Sequence, residues 1–385
     1  MFQNWYFIFG YALVLSFFIS IACTALVLWL AKRWNIVDKP GERKMHSEPM
    51  PLLGGVAIYA TFNLVILGNL LILLNIERLG FDWIENNVLS FLGTNPVRQL
   101  TGIFAGAFLI FLLGIVDDVK ALKPEIKLVG QIVAALVLVV SGISVNLFID
   151  SFLVYIPFLS GLSEQSVGYI NVGISTFLTV LWVVTLTNSM NFLDNMDGLS
   201  GGVSVIAGLT LFLCVLPLEQ YFICVLLMVF VGSVAGFLYH NLTPARIFMG
   251  DAGSMFCGFI LATVAVLGTF YTEGVPSRVA VAAPLLALCV PLFDTASVIW
   301  IRWRKGESIM KGDKRHFSHR LVELGMTPKQ AVEFIFLVAA VTGLGGALLS
   351  QVGRGGTIVI LAQTAGIFLL IVLLMKAGRN SEGGD

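Results

Sequence analysis

Carboxylates, amides and imidazoles gather at the ends of long apolar segments in this 385-residue chain. The clusters are Asp117-Asp118, the run Asn188 to Asp197 (NSMNFLDNMD), Met249-Gly250-Asp251, Asp294, and Asp313 to Arg320 (DKRHFSHR). Such groups are costly inside a bilayer, and a purely structural membrane bundle keeps them out. Acids at one membrane face with histidines and arginines beside them suit a divalent cation and a phosphate-bearing substrate. That is the chemistry of an enzyme rather than of a scaffold.

Each cluster has a functional and a plain structural reading. Asp117 and Asp118 follow the apolar run GAFLIFLLGIV. Adjacent anions at a helix end can bind Mg²⁺, orient a nucleophile or act as a base, or they simply end the helix at solvent. Asn188, Asn191 and Asp194 recur every third residue and line one face of a helix end. With Asn195 and Asp197 they exceed what capping requires, and Gly198, Gly201 and Gly202 beyond them permit close approach of a helix N-terminus or a ligand. Asp251 in RIFMGDAGS is open to two readings, a helix cap or a metal ligand, and Phe248 just before it offers a flat face to a base or sugar. His316 and His319, with Arg315 and Arg320 alongside, suit a pyrophosphate; topological retention explains the cations but not the histidines. Asp294 lies inside an apolar span, ~12 Å along a helix from Arg302. Either it forms a buried structural pair, or the helix breaks near Pro291 and lines a wet cavity, which is the expected case.

The elements that must position these groups follow from composition. The chain is 57% hydrophobic and 12% charged, with mean hydropathy +0.92, which fits an all-α polytopic membrane protein and excludes a soluble fold. About eleven transmembrane helices can be drawn, at roughly 6 to 31, 52 to 74, 99 to 116, 128 to 146, 174 to 190, 198 to 215, 221 to 239, 254 to 271, 279 to 301, 331 to 350 and 356 to 375. With the N-terminus outside, only Arg78, Arg98, Arg278 and Arg354 of the 23 Lys and Arg fall in outer loops. The N-terminus is therefore expected outside and the C-terminus in the cytoplasm, with every cluster on the cytoplasmic face. The first apolar stretch reads as a retained span rather than a cleaved leader, and residues 1–385 as a single integral-membrane domain.

Cys23, Cys214, Cys224, Cys257 and Cys289 have no metal-ligand spacing and read as packing, with a Cys214–Cys224 pair carrying little weight. The outer segment 147–173 reads as short β-rich or interfacial structure. GMTPKQAVEF reads as a helix start, with Thr327 as N-cap and Pro328 at the first helical position.

Taken in order, Asp117-Asp118, N188-x-x-N191-x-x-D194-x-x-D197-G198, F248-M249-G250-D251 and the histidine loop resemble the polyprenyl-phosphate N-acetylhexosamine-1-phosphate transferases. Together with RKMHSEPMPLLGG and DKRHFSHRL, they look most like the bacterial undecaprenyl-phosphate N-acetylglucosamine-1-phosphate transferases that begin cell-surface glycans. The phospho-MurNAc-pentapeptide transferases, with ten spans and adjacent histidines, fit less well. The resemblance implies transfer of N-acetylglucosamine-1-phosphate from UDP-N-acetylglucosamine to undecaprenyl phosphate, with release of UMP, in the bacterial inner membrane.

It also implies Mg²⁺, with Mn²⁺ as a substitute, held by Asp251 and Asn191. Phe248 would stack on uracil, with Asp194 and Asp197 near the uridine. Asp117, Asp118 and Lys127 would engage the lipid phosphate, with His316, His319, Arg315 and Arg320 at the sugar-phosphate end. Asn188, Asp294, Arg302 and Arg304 complete the expected substrate-binding set. A homodimer is what the resemblance suggests, and no nucleic-acid partner is expected. Two departures stand out: Ala121 where the aspartate motif often carries a third acid, and Ser318 where the loop commonly has histidine. A transporter is the rival of another class, but it would carry its charges near the bilayer midplane rather than at one boundary.

Overall fold

The computed structural model describes residues 2–38, 49–76, 96–145, 164–268, 270, 278–307 and 315–382. These residues are almost entirely helical: α1 (Phe2–Arg33), α2 (Gly54–Ile76), α3 (Pro96–Val119), α4 (Pro124–Val140), α5 (Glu164–Leu193), α6 (Leu199–Val215), α7 (Tyr221–Asn241), α8 (Gly250–Leu267), the short α9 (Ala283–Ala287), α10 (Cys289–Lys305), α11 (Phe317–Glu323), α12 (Pro328–Leu348) and α13 (Arg354–Glu382). Helix is the expected answer for apolar segments of this length, because it satisfies every backbone polar group within the segment. Nine helices among the described residues are long and apolar enough to cross a membrane.

Two expected spans depart from that pattern. The fourth is the 17-residue α4, and the ninth is broken at Leu288 between α9 and α10. The break falls three residues before Pro291, which sits in the first turn of α10, where a missing N–H costs nothing. A third difference concerns 147–173: from Glu164 onward the chain is already helical and continuous with α5. No proline interrupts that stretch, and the helix simply extends from the apolar segment, overriding its modest β-propensity. Residues 146–163 lie outside the described residues.

The helix α8 is the hub of the bundle. It packs against α2, α3, α5 and α6, while α1 packs on α7, and α12 on α6 and α9. Close contact is obtained with small residues, the usual means of helix association in lipid. A Cβ on Gly55 would lie 2.1 Å from the backbone nitrogen of Gly253, so the starts of α2 and α8 touch backbone to backbone. All five cysteines are free. Thr327 caps α12 with a complete capping box to Gln330, and Pro328 opens the helix as expected.

Candidate active site

The start of α8 is held by acids from two other helices. Gly250 has φ +74°, and a Cβ there would sit 2.7 Å from Asp118 Oδ2, so only glycine lets the chain enter α8 beside that carboxylate. Asp118, in the last turn of α3, accepts the backbone N–H of Asp251 at 2.7 Å and that of Ala252 at 3.2 Å. Asp194, just past α5, accepts the N–H of Gly250. The otherwise unpaired N–H groups of the first turn are thereby satisfied by carboxylates, which also suit the positive end of the helix dipole. Asp251 is therefore no cap: its side chain is free for other work.

That side chain faces α4 and α5. Asp251 Oδ1 accepts from Asn191 Nδ2 at 2.9 Å, and Asn191 also donates to the buried Ser254 hydroxyl at 3.0 Å. Asp251 Oδ2 pairs with the Lys127 ammonium, which also lies 3.0 Å from Asp117 Oδ2. Asp117 Oδ1 accepts the backbone N–H of Leu122 at 2.7 Å, closing the α3–α4 turn. Asn188, one turn before Asn191, exchanges hydrogen bonds with the fully buried Gln131 of α4 at 2.6 and 3.2 Å. The expectation of one face for Asn188, Asn191 and Asp194 holds, since Gln131, Asp251 and Gly250 are their successive partners.

Phe248 is held through its backbone from both sides. Its N–H donates to the Pro51 carbonyl at 2.9 Å, its carbonyl accepts from Gly54 N at 2.9 Å, and Met249 O accepts from Gly55 N at 2.8 Å. Pro51 ends a small antiparallel pair, β1 (Val37–Asp38) with β2 (Met50–Pro51). The ring of Phe248 is half-buried at the site. Asp197 Oδ2 accepts from Ala245 N at 3.0 Å, and Asn241 accepts from Gly198 N at 3.1 Å while donating to Ile247 O at 2.8 Å. Together they bind the α5–α6 turn to the α7–α8 connection.

The histidine loop meets the same region. The His316 ring lies 5.8 Å from that of Phe192, and the Ser318 hydroxyl donates to Asn195 Oδ1 at 2.6 Å. His316 Nδ1 is 2.8 Å from Asp294 Oδ2. Asp294 is completely buried, so it forms a buried pair rather than lining a wet cavity; the break at Leu288 frees the chain's direction without wetting the carboxylate. Arg320 Nη2 donates to Ser297 Oγ at 2.5 Å, and Arg302 is buried near the end of α10. Arg315 forms a bidentate pair with Glu307 at 2.7 and 3.2 Å. Arg304 stands apart, exposed, with its guanidinium 5.8 Å over the Trp300 ring. That is an interfacial arrangement, and the expectation of a substrate contact finds no support in it. His319 is half-buried. Asp313 lies outside the described residues.

Electrostatics at this junction are uneven. Burial, together with the negative charges of Asp251 and Asp118, pushes Asp194 up to about 8, and the Gly250 N–H only partly offsets them. Such crowding of acids about one ammonium favours added positive charge at this junction.

Residues 100–269 match the family model described as glycosyl transferase family 4. The chain is 31% identical over 343 residues to a probable undecaprenyl-phosphate N-acetylglucosaminyl 1-phosphate transferase of Bacillus subtilis, covering 88% of this chain and 85% of that protein. This chain belongs to the polyprenyl-phosphate N-acetylhexosamine-1-phosphate transferases. A further member of the superfamily, the decaprenyl-phosphate N-acetylglucosaminephosphotransferase of Mycolicibacterium smegmatis, is 29% identical over 384 residues, covering 95% of this chain and 88% of that one. The undecaprenyl-phosphate alpha-N-acetylglucosaminyl 1-phosphate transferase of Escherichia coli K12 is 26% identical over 327 residues, covering 83% and 78%. Membership removes the transporter reading.

Sequence reasoning about this transferase missed several residues. Gln131 and Ser254 looked like ordinary polar positions within apolar helices, and Asn241 like a helix end. The Gly54-Gly55 pair was the one visible sign that the start of α2 docks onto Phe248 and Met249.

Proposed function

We propose that this transferase moves N-acetylglucosamine-1-phosphate from UDP-N-acetylglucosamine to undecaprenyl phosphate and releases UMP, the opening membrane step of a cell-surface glycan. The observation that carries the reading is the chain Asp117, Lys127, Asp251, Asn191, which joins α3, α4, α8 and α5 at one end of the bundle. An oxygen of the lipid phosphate attacks the β-phosphorus of the UDP-sugar, a new pyrophosphate bond forms, and the bond to the α-phosphate breaks, with the electron pair leaving on UMP. Little covalent work falls to the protein, so catalysis is positioning and charge stabilisation.

The residues present fit Mg²⁺. Carboxylate and amide oxygens are the hard donors it takes, and the Lys127 ammonium already lies where positive charge is needed. Among the described residues no group of three or more His, Cys, Asp or Glu side chains is placed to hold an ion, so water and substrate phosphate oxygens would have to complete its shell. Asp251 and Asn191 would hold it. When bound, the ion would neutralise charge on the pyrophosphate and the leaving UMP. Lys127 keeps Asp117 and Asp251 together and offers its ammonium to an arriving phosphate. Phe248 provides a platform for uracil, with Asp194 and Asp197 setting the loops on either side.

The topology proposed with this function has eleven crossings. The site gathers the C-terminal ends of α3, α5 and α7 and the N-terminal ends of α2, α4, α6 and α8. Counting α4 and the broken α9–α10 unit as traversing keeps these chain ends alternating across the membrane. With basic loops retained inside, the site opens to the cytoplasm, where nucleotide sugars are made, and a homodimer remains the assembly that family membership implies.

The deciding experiment is UMP release by purified protein. Release that requires both undecaprenyl phosphate and Mg²⁺ supports the proposal, and release without the lipid, or with UDP-MurNAc-pentapeptide in preference, overturns it.

A further inference from the structure

We infer that Asp294 is the positioning residue for His316, fixing its proton on Nδ1 so that Nε2 is the nitrogen offered to the substrate pyrophosphate. The inference rests on the transferase reading above. Asp294 lies in α10, wholly buried, and uses both oxygens: Oδ2 with His316 Nδ1 at 2.8 Å, and Oδ1 accepting the backbone N–H of Phe317 at 2.5 Å. Around it α10 is tied to its neighbours. Ser297 donates to the Asp294 carbonyl at 2.9 Å and accepts from Arg320, while Thr295 donates to Ser189 of α5 at 2.8 Å.

A structural role alone does not account for this arrangement. A buried carboxylate carries a desolvation cost, and an apolar side chain packs a helix junction as well or better. Starting α11 needs no distant acid either, since an Asn, Asp or Ser at position 316 would cap it locally; instead His316 occupies the N-cap with no side-chain cap bond. What Asp294 adds is control of an imidazole. A carboxylate only accepts, so the facing Nδ1 carries hydrogen, and the ring plane is set by the second bond to Phe317. Acids and carbonyls orient metal-bound and catalytic histidines in the same manner. Nε2 then has no protein partner among the described residues, and the ring sits beside Phe192, one residue from Asn191. The orienting acid comes from a helix 22 residues earlier in the chain, not from the histidine loop itself.

The test compares His316→Asn, Asp294→Asn and the double variant. An asparagine amide at position 316 keeps a donor where Nδ1 was, so the clamp and the fold survive, but nothing replaces Nε2. Expected are a melting temperature like that of the unchanged protein and a kcat lower by about 10²-fold, the loss typical of one positioned donor. Asp294→Asn should lower kcat comparably with KM for UDP-N-acetylglucosamine changed less than about threefold, and should add little to His316→Asn. Nitrogen-15 spectra of histidine-labelled protein supply a readout without turnover: the chain has four histidines, and His316 is the signal that His316→Asn removes. That signal should report Nδ1–H in the unchanged protein and lose its fixed tautomer in Asp294→Asn. Near-normal kcat in His316→Asn, multiplying losses in the double variant, or a His316 lacking Nδ1–H would overturn the inference. Should Asp294→Asn fail to fold, His316→Asn and the spectrum of the unchanged protein still decide it. Absence of any UMP release by the unchanged protein would defeat the transferase reading instead, with the spectra still judging the clamp.

Discussion

Asp118 accepts the backbone N–H of Asp251 at 2.7 Å, so two acids of the site are tied through the main chain. Their removal should therefore have different consequences. Asp118→Ala deprives α8 of its cap and should lower stability by about 1 kcal/mol or more, seen as a lower melting temperature in detergent, along with a fall in activity. Asp251→Asn changes neither volume nor cap; it should melt normally yet turn over at a small fraction of the usual rate and lose its response to Mg²⁺. Normal Mg²⁺-dependent activity in Asp251→Asn would end the metal assignment, and unchanged melting in Asp118→Ala would end the capping role.

Lys127 is the second point of leverage. Its ammonium joins Asp117 to Asp251, and Lys127→Met would leave both carboxylates facing one another without a cation. We expect kcat to fall by about 10²-fold or more, in the range for one charged transition-state contact, with partial recovery at high Mg²⁺ as the ion takes over the screening. Lys127→Arg should recover little, because a planar fork does not fit where a compact ammonium lies between two acids. Steady-state rates across a Mg²⁺ titration give the answer, and an arginine variant with full activity would show that the geometry is looser than described.

How far the sequence revealed this site depended on how local each relationship was. The spacing of Asn188, Asn191 and Asp194 was readable because helix periodicity puts every third or fourth residue on one face. The N-cap at Thr327 was readable because a threonine directly before a proline is a local helix-start signal. By contrast, Asp118 serves a helix start 133 residues away, and no local rule connects an acid to a distant N-terminus. His316 likewise finds its partner in Asp294 on another helix, a relationship that spacing within the histidine loop does not show. Gln131 could not be separated from the apolar residues around it, since a single buried amide acquires meaning only from the Asn188 that faces it. The long apolar helices were legible from hydropathy, but the break at Leu288 was placed slightly late, near Pro291, because proline is tolerated in the first turn of a helix.

Phe248 offers a test of where the nucleotide lies. The backbone on either side of it is fixed by Pro51 and Gly54, so Phe248→Ala removes the ring without moving the chain. KM for UDP-N-acetylglucosamine should rise by about tenfold, in line with loss of an aromatic stacking contact of about 1 kcal/mol or slightly more, while KM for undecaprenyl phosphate changes little. A shift confined to the lipid would place the prenyl phosphate, not uracil, against this ring.

Asp194 gives the site a pH signature in the absence of metal. Its carboxyl is pushed from the ordinary 3.8 up to about 8 by burial and by the charges of Asp251 and Asp118. The folded state then holds a proton that the unfolded chain releases, so between about pH 4 and pH 8 stability falls as pH rises, by up to one proton's worth of slope. Below that window both states are protonated and the contribution is flat. Asp194→Asn removes the titration and should flatten the difference, with the variant gaining on the unchanged protein toward pH 8. Melting temperatures in chelator across that range measure it. Parallel curves for the two proteins would mean that the Gly250 N–H holds Asp194 ionised throughout, and that the crowded acids are balanced by Lys127 alone.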